Sequence, residues 1–188
     1  CYFLYTFYPL ILSEELWTES LAGNRRSLGT TTLTSIRGRP IIDRNIVFAV
    51  SNSGQLTAIN LRNGRRIWER NIGSVESPWI AGNYLFIISN NTDLIALDRL
   101  NGQIYWVTSL PEWKNMKKRK GKITWTGPVL GSDRLIVASS NSEAISVSPY
   151  TGKILSKQEM PDSVTISPII AQDKLIFLSD DAELVSYR

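Results

Sequence analysis

Histidine is absent from the 188-residue sequence, and Cys1 is its only cysteine. Without histidine the chain lacks the commonest general base and the commonest ligand of transition metals, so Ser-His-Asp and Cys-His catalytic arrangements are excluded. A single cysteine excludes an intramolecular disulfide. Both absences weigh against an enzyme.

The sequence also lacks an apolar segment long enough to span a bilayer. Its opening run, CYFLYTFYPLIL, is shorter than the ~20 residues that a membrane-spanning helix needs, and no basic residue precedes it. We interpret this run neither as a signal peptide nor as an anchor. Cys1 could formally begin a mature lipoprotein, but the register of the repeat described below predicts a position inside a truncated repeat.

Positive charge is concentrated in one stretch. Six cations and one acid, Glu112, lie between Pro111 and Trp125, a net charge of +5 in a chain whose total is +4. The six cations are Lys114, Lys117, Lys118, Arg119, Lys120 and Lys122. A nucleic-acid-binding protein normally spreads basic residues over a face, with aromatic side chains or a reader motif, and this pattern is not seen. We predict no nucleic-acid partner and interpret the stretch as a solvated basic loop, with an acidic partner or anionic lipid headgroups as the alternative.

A unit of about 40 residues recurs along the chain. Each copy begins with a proline and a short apolar piece, and continues through a turn, a β-prone run, a polar turn and a second alternating run. In the first copy the β-prone run is IVFAVS, the polar turn is NSG and the second run is QLTAINL. The prolines are Pro40, Pro78, Pro128 and Pro168, spaced by 38, 50 and 40 residues. Period-two alternation with β-branched and aromatic residues predicts strands.

Each complete unit closes with a glycine turn, and most carry a tryptophan in the strand that follows. We predict that these tryptophans pack on the neighbouring unit and that the glycines supply the turn. The predicted docking residues are Trp17, Trp68, Trp106, Gly64, Gly102 and Gly152. Ser156 occupies the tryptophan position of the third complete unit, so we expect a weaker joint there.

Four short strands in a repeat of about 40 residues, with no room for a helix, predict an all-β fold of β-propeller blades. We expect three full repeats and partial blades. The predicted parts are the end of a preceding blade (1–21), a connector (22–38), blades at 39–72, 77–110 and 127–160, a basic insertion loop (111–126) and an incomplete last blade (167–188).

The stretch ALDRLNGQIYW resembles the tryptophan-docking repeat of the quinoprotein-type (PQQ-like) propellers. The order of the units, with TWTGPVL and SPYTGKI, resembles more closely the C-terminal half of the BamB-like propeller lipoproteins, in an alphaproteobacterial form. This resemblance runs from about Leu16 to Arg188. It implies a partial arc of an eight-bladed propeller and a C-terminal fragment of a longer chain.

The resemblance to the BamB-like family also implies a function. We expect a non-catalytic scaffold of the outer-membrane β-barrel assembly machinery at the periplasmic face of the outer membrane, without a cofactor. The implied partner is the periplasmic part of the barrel-assembly subunit, and membrane contact is expected only through a lipid anchor absent from this fragment. The implied contact stretch is 22–40, where Thr34, Ser35, Arg37 and Arg39 are the candidate partner-binding residues.

A quinone-dependent dehydrogenase-type propeller, or an envelope sensor without retained catalysis, is the alternative function. Family members that use the quinone resemble one another in a calcium site, a catalytic aspartate and often a vicinal disulfide, which is impossible here. Asp180 and Asp181 form the only pair of adjacent aspartates, and a hard cation needs six or more converging oxygens. We therefore predict no catalytic residue, no cofactor and no metal.

Overall fold

The computed structural model describes residues 15–21 and 37–188. Every regular element in these two ranges is a β-strand, and the strands form antiparallel sheets. Within them, no helix is long and apolar enough to cross a membrane. The all-β prediction is confirmed.

The first two blades are four-stranded meanders in which each strand pairs with the next along the chain. The first blade comprises β1 (Ile41–Asp43), β2 (Ile46–Val50), β3 (Leu56–Asn60) and β4 (Arg66–Arg70). The second blade comprises β5 (Trp79–Ala81), β6 (Tyr84–Ile88), β7 (Asp93–Asp98) and β8 (Ile104–Ser109).

A two-stranded hairpin, a third blade and a three-stranded sheet follow. The hairpin comprises β9 (Trp113–Asn115) and β10 (Lys120–Lys122). The third blade comprises β11 (Trp125–Gly131), β12 (Arg134–Ser139), β13 (Glu143–Val147) and β14 (Ile154–Glu159). The sheet that we call the fourth blade comprises β15 (Ile169–Ala171), β16 (Lys174–Leu178) and β17 (Leu184–Tyr187).

The two-residue turns that join the first and second strands of the blades lie at the positions predicted from the sequence. In the first blade, Arg44 and Asn45 both have positive φ, at 45° and 64°. Two consecutive left-handed residues make the tight turn that suits the right-handed twist of paired strands. Ser132 and Asp133 repeat this conformation in the third blade.

The core lies between blades and not within one of them. In β6, Leu85 and Ile87 pack against the first blade, whereas Phe86 and Ile88 pack against the third blade. Successive side chains of a strand point to opposite faces, and both faces of this strand are covered. This is why YLFII (84–88) is apolar without alternation.

The blades have two distinct ends. At the turn end, the turn between the first and second strands meets the turn between the third and fourth, as when Leu61 N donates to Asn45 O at 2.9 Å. At the connector end, the turn between the second and third strands meets the segments that link blades, as when Ser74 N donates to Ser51 O at 3.3 Å. The hairpin β9–β10 arises at the connector end, between the second and third blades.

The basic stretch, expected as a loop over 111–126, contains a β-hairpin and the start of a blade strand. β11 begins at Trp125, whose side chain is buried and whose Nε1 donates to the carbonyl oxygen of Pro111 at 2.8 Å. Trp125 belongs to the core between the second and third blades. The tryptophan therefore anchors the base of the hairpin to the propeller body.

Candidate functional site

Tryptophan side chains connect successive blades at the turn end. The ring of Trp68, in β4, lies against Gly102 in the β7–β8 turn, so that a Cβ built on this glycine would be 2.7 Å from Cε3 of the ring. The indole Nε1 donates to the carbonyl oxygen of Arg99 at 2.9 Å. Gly102 has a φ of +70°. Glycine thus serves both the turn and the close approach of the ring.

The same contact occurs at two further positions. In each, the indole donates to the carbonyl three residues before the glycine, at distances of 2.9 and 2.8 Å. The two sets of tryptophan, glycine and carbonyl residue are Trp106, Gly152 and Pro149, and Trp17, Gly64 and Leu61. The six residues predicted from the sequence to dock therefore lie together as three tryptophan–glycine pairs. Their contribution to stability stays a prediction.

A partly buried ion pair adds to the joint between the first and second blades. The Arg99 side chain is 5% exposed and pairs through Nη1 with the Asp43 carboxylate. Arg70 donates to the carbonyl oxygens of Gly102 and Asn101 at 2.7 and 2.9 Å. Sequence reasoning missed Arg99 and Asp43, because nothing local marks two partners that lie 56 residues apart.

The joint between the third and fourth blades is built differently. Ser156 occupies the tryptophan position, and its hydroxyl bonds to that of Ser146 with an Oγ–Oγ distance of 2.6 Å. An open cavity of about 150 Å³ lies beside the two serines and is lined by Met160, Phe177 and Tyr187 among others. The space that an indole fills in the other joints is therefore only partly filled here.

At the connector end, Glu76 links the connector between the first two blades to the third blade. Its carboxylate accepts hydrogen bonds from Thr126 Oγ1 at 3.0 Å and from Gly127 N at 3.3 Å. Burial raises the pKa of Glu76, while these two hydrogen bonds and the positive charge of Arg37 lower it to a smaller extent. The sequence contains no local signal for this role.

A polar cleft of about 360 Å³ opens beside Glu76. Asn52 and Asn90, from the β2–β3 and β6–β7 turns, lie on one side, and Lys122 and Thr124 lie at the foot of the hairpin. Asn90 Nδ2 donates to the backbone oxygen and to Oδ1 of Asn52, at 2.9 and 3.0 Å. The cleft thus brings amide, hydroxyl and charged groups together at the connector end.

Two of the four candidate partner-binding residues are placed by the structure. Arg37 and Arg39 are exposed and flank Gly38, where an added Cβ would lie 2.5 Å from the backbone oxygen of Glu76. This segment therefore runs along the connector between the first and second blades. Thr34 and Ser35 lie outside the described residues.

The hairpin carries its cations into solvent. All six basic side chains of the stretch are exposed, and Met116 near the tip is 64% exposed. None of the six takes part in an ion pair with the described residues of the chain. The six cations, like Arg37 and Arg39, lie at the connector end of the blades.

Of the adjacent acids Asp180 and Asp181, Asp180 serves local structure. Asp180 accepts hydrogen bonds from Ser163 Oγ and Thr165 Oγ1, both at 2.6 Å, and these bonds lower its pKa. Over 15–21 and 37–188, no three histidine, cysteine, aspartate or glutamate side chains converge as a metal site would require. The Asp180 carboxylate is thus hydrogen-bonded to the connector that precedes the fourth blade.

The family model described as outer membrane protein assembly factor BamB matches residues 12–108, slightly more than half of the chain. The BamB of Aliivibrio fischeri is 33% identical over 174 residues, which cover 92% of this chain and 43% of that protein. The BamB of Escherichia coli is 26% identical over 174 residues, covering 92% and 42%. The chain therefore spans less than half the length of the curated relatives it matches.

Solved structures show the same architecture. The crystal structure of BamB from Moraxella catarrhalis superposes with a TM-score of 0.70 at 19% identity, covering 81% of this chain and 43% of that chain. A quinohemoprotein alcohol dehydrogenase from Comamonas testosteroni gives a TM-score of 0.54 at 17% identity, over 66% and 21%. At these identities the likeness establishes the fold alone. With the family match, the chain belongs to the family of outer membrane protein assembly factor BamB and is built as a β-propeller.

Proposed function

We propose that this chain is part of a non-catalytic propeller scaffold that holds a protein partner during outer-membrane protein assembly in the cell envelope. The observation that carries the proposal is the match to the family described as outer membrane protein assembly factor BamB. The partner we propose is the periplasmic part of the barrel-assembly subunit, met at the periplasmic face of the outer membrane.

The connector end is the surface that we propose for this contact. The tryptophan–glycine pairs are all at the turn end, so these three joints do not involve Arg37 or Arg39. The connector end offers Arg37, Arg39 and the polar cleft beside Glu76. Function in rigid β-scaffolds usually lies in such irregular segments.

The carboxylates support a scaffold more than an enzyme. Asp43 pairs with Arg99, Glu76 accepts bonds from the third blade, and Asp180 holds its own connector. Each of these acids has a structural partner within the fold. The likeness to the quinohemoprotein dehydrogenase concerns the fold and brings no such chemistry to this chain.

Site-specific photo-crosslinking in the cell envelope tests the partner. A benzophenone amino acid is placed at Arg37 or Arg39, and the matched control carries it at Arg62, an exposed residue of the turn end. We expect crosslinks to the barrel-assembly subunit from positions 37 and 39 but not from position 62, and weaker recovery when Arg37→Glu and Arg39→Glu are combined.

Two results would contradict the proposal. Equal crosslinking from all three positions would remove the connector end as the contact surface, and no crosslink to the barrel-assembly subunit from any position would remove the partner. A calcium-dependent absorbance change on adding pyrroloquinoline quinone would favour the quinone-dependent alternative instead.

A further inference from the structure

The hairpin β9–β10 is fixed to the propeller at its base only. Ile123, which is buried, donates its backbone N–H to the oxygen of Glu112 at 2.8 Å, and Trp125 donates its indole N–H to Pro111. Beyond this base, every side chain from 114 to 122 is exposed. The hairpin is therefore held at its base and projects from the connector end into solvent.

The cations of the hairpin lie on both of its faces and in its turn, and not on one face only. Lys120 and Lys122 alternate with Gly121 along β10, so they share one face of the hairpin. Lys114 crosses the opposite face, since a Cβ on Gly121 would lie 3.1–3.2 Å from its Cβ, Cγ and Cδ. The turn adds three more cations, Lys117, Lys118 and Arg119.

This charge has no counterpart in the described part of the fold. No acid of residues 15–21 or 37–188 forms an ion pair with the hairpin, and the one acid of the stretch, Glu112, lies at the base. Like charges so close together repel one another. An external anionic group would relieve that repulsion.

The arrangement fits a diffuse anionic surface better than an acidic protein. A protein partner meets one face with complementary charges at fixed positions. Here the cations occupy both faces and the tip, and Met116, 64% exposed, is the apolar residue among them. Basic side chains around an exposed apolar residue match the headgroup layer of a membrane, where charge is spread out and apolar atoms can enter the boundary.

We propose that the hairpin 113–122 binds the headgroups of anionic phospholipids. The presence of such a membrane nearby rests on the proposed function in outer-membrane assembly, but binding to lipid is independent of the protein partner. From the sequence we expect membrane contact through a lipid anchor and keep anionic headgroups only as the alternative for the basic stretch. In the present proposal the hairpin adds a second contact that orients the connector end toward the lipid.

Vesicle flotation with the 188-residue chain tests this directly. The vesicles contain phosphatidylcholine alone or with about one third phosphatidylglycerol, in low salt and again in 0.5 M NaCl, where charges are screened within a few ångströms. The test variant combines Lys117→Gln, Lys118→Gln and Arg119→Gln. The matched control removes three exposed cations of the turn end with Arg62→Gln, Arg65→Gln and Lys153→Gln.

We expect the unmodified chain to float with anionic vesicles in low salt, but not with neutral vesicles or in high salt. Each lysine or arginine near an anionic surface contributes several-fold in affinity, so the hairpin variant should bind at least about tenfold more weakly. The turn-end control should stay within about twofold of the unmodified chain. Thermal unfolding of each variant checks that the propeller is intact.

Equal weakening by both triple variants would assign binding to net charge and overturn the proposal. So would salt-insensitive binding, or no binding of the unmodified chain to anionic vesicles. These results are separate from crosslinking at positions 37 and 39, so the lipid contact and the protein contact can fail independently.

Discussion

At the scale of single residues, glycine and tryptophan act as one unit across a blade boundary. The ring of Trp68 occupies the space where a Cβ of Gly102 would be, while its N–H satisfies a carbonyl of the same turn. A buried aromatic ring contributes its apolar area, and its polar atom needs a partner. Gly102, which has no side chain, leaves room for the ring, and the backbone carbonyl of Arg99 accepts the indole N–H.

Gly102→Ala should destabilise the protein by about 2–4 kcal/mol, because the new Cβ meets the Trp68 ring at 2.7 Å and the φ of +70° is unfavourable for alanine. The measurement is the free energy of unfolding in denaturant. Gly82→Ala is the control, since Gly82 has a φ of +58° but no atom within 4 Å of an added Cβ. It should cost only about 1–2 kcal/mol of backbone strain. Equal losses would show that contact with the ring is unimportant.

A second residue-scale prediction concerns the pH dependence of Glu76. Its pKa is raised mainly by burial, so the folded state holds the proton more tightly than the unfolded state does. The free energy of unfolding contributed by this group is therefore highest below the ordinary pKa of 4.5 and falls as the pH rises through the raised value. The hydrogen bonds from Thr126 and Gly127 and the positive charge of Arg37 oppose this shift only in part.

Glu76→Gln should remove this pH-dependent loss, because a glutamine resembles the protonated acid and still accepts from Thr126 and Gly127. The variant should match or exceed the unmodified chain in stability at pH 7, and the difference should shrink toward pH 4. Denaturant unfolding across this pH range is the measurement. Glu159→Gln, at an exposed position, is the control and should show no such trend. The prediction would be contradicted if the stability of the variant relative to the unmodified chain were lower at pH 7 than at pH 4.

At the scale of elements, the blades share a register that extends to their irregularities. The residues opposite the docking position are Ala58 for Trp68, Ala96 for Trp106 and Ser146 for Ser156, and a bulge follows each pair. A small residue facing a tryptophan leaves room for the ring. The third blade replaces this arrangement with two hydroxyls bonded to each other, and a cavity remains beside them.

Combining Ser146→Ala with Ser156→Trp should restore the arrangement of the first two blades and stabilise the protein by about 1 kcal/mol, or about 2–4 °C in Tm. The gain is modest because the fourth blade has three strands and presents no glycine turn to the ring. Ser156→Trp alone is the control, since it leaves the Ser146 hydroxyl without its present partner and should be less stable than the combination. A combination no more stable than this control would contradict the arrangement proposed for the joint.

At the scale of the whole molecule, the two ends of the blades differ in the groups that they carry. The turn end holds the three tryptophan–glycine pairs and the Arg99–Asp43 ion pair, which join neighbouring blades. The connector end holds the most irregular segments, the polar cleft and the basic hairpin. The tryptophan–glycine joints do not involve the exposed arginines or the basic hairpin of the connector end, and this end is where we place both the protein contact and the lipid contact.

Much of the fold followed from the sequence because its signals are local. Period-two alternation, turn residues and a fixed repeat are read within one unit, and they predicted the strands, the blades and the positions of Trp68 and Gly102. The serine that ends the β-run in each unit was also visible, and in the first blade Ser51 Oγ accepts from Gln55 N at 3.1 Å. Its role in closing the polar turn could have been inferred from repetition alone.

Tertiary structure alone decided which distant residues meet. Glu76 reaches Thr126 across 50 residues and Arg99 reaches Asp43 across 56, because the rotation between blades brings their ends together and no local pattern encodes that rotation. The basic stretch could be recognised from its composition, but its form as a rooted hairpin depends on Trp125 packing between two blades. The sequence by itself determined the repeated blade; the packing of blade on blade determined the surfaces on which the proposed function rests.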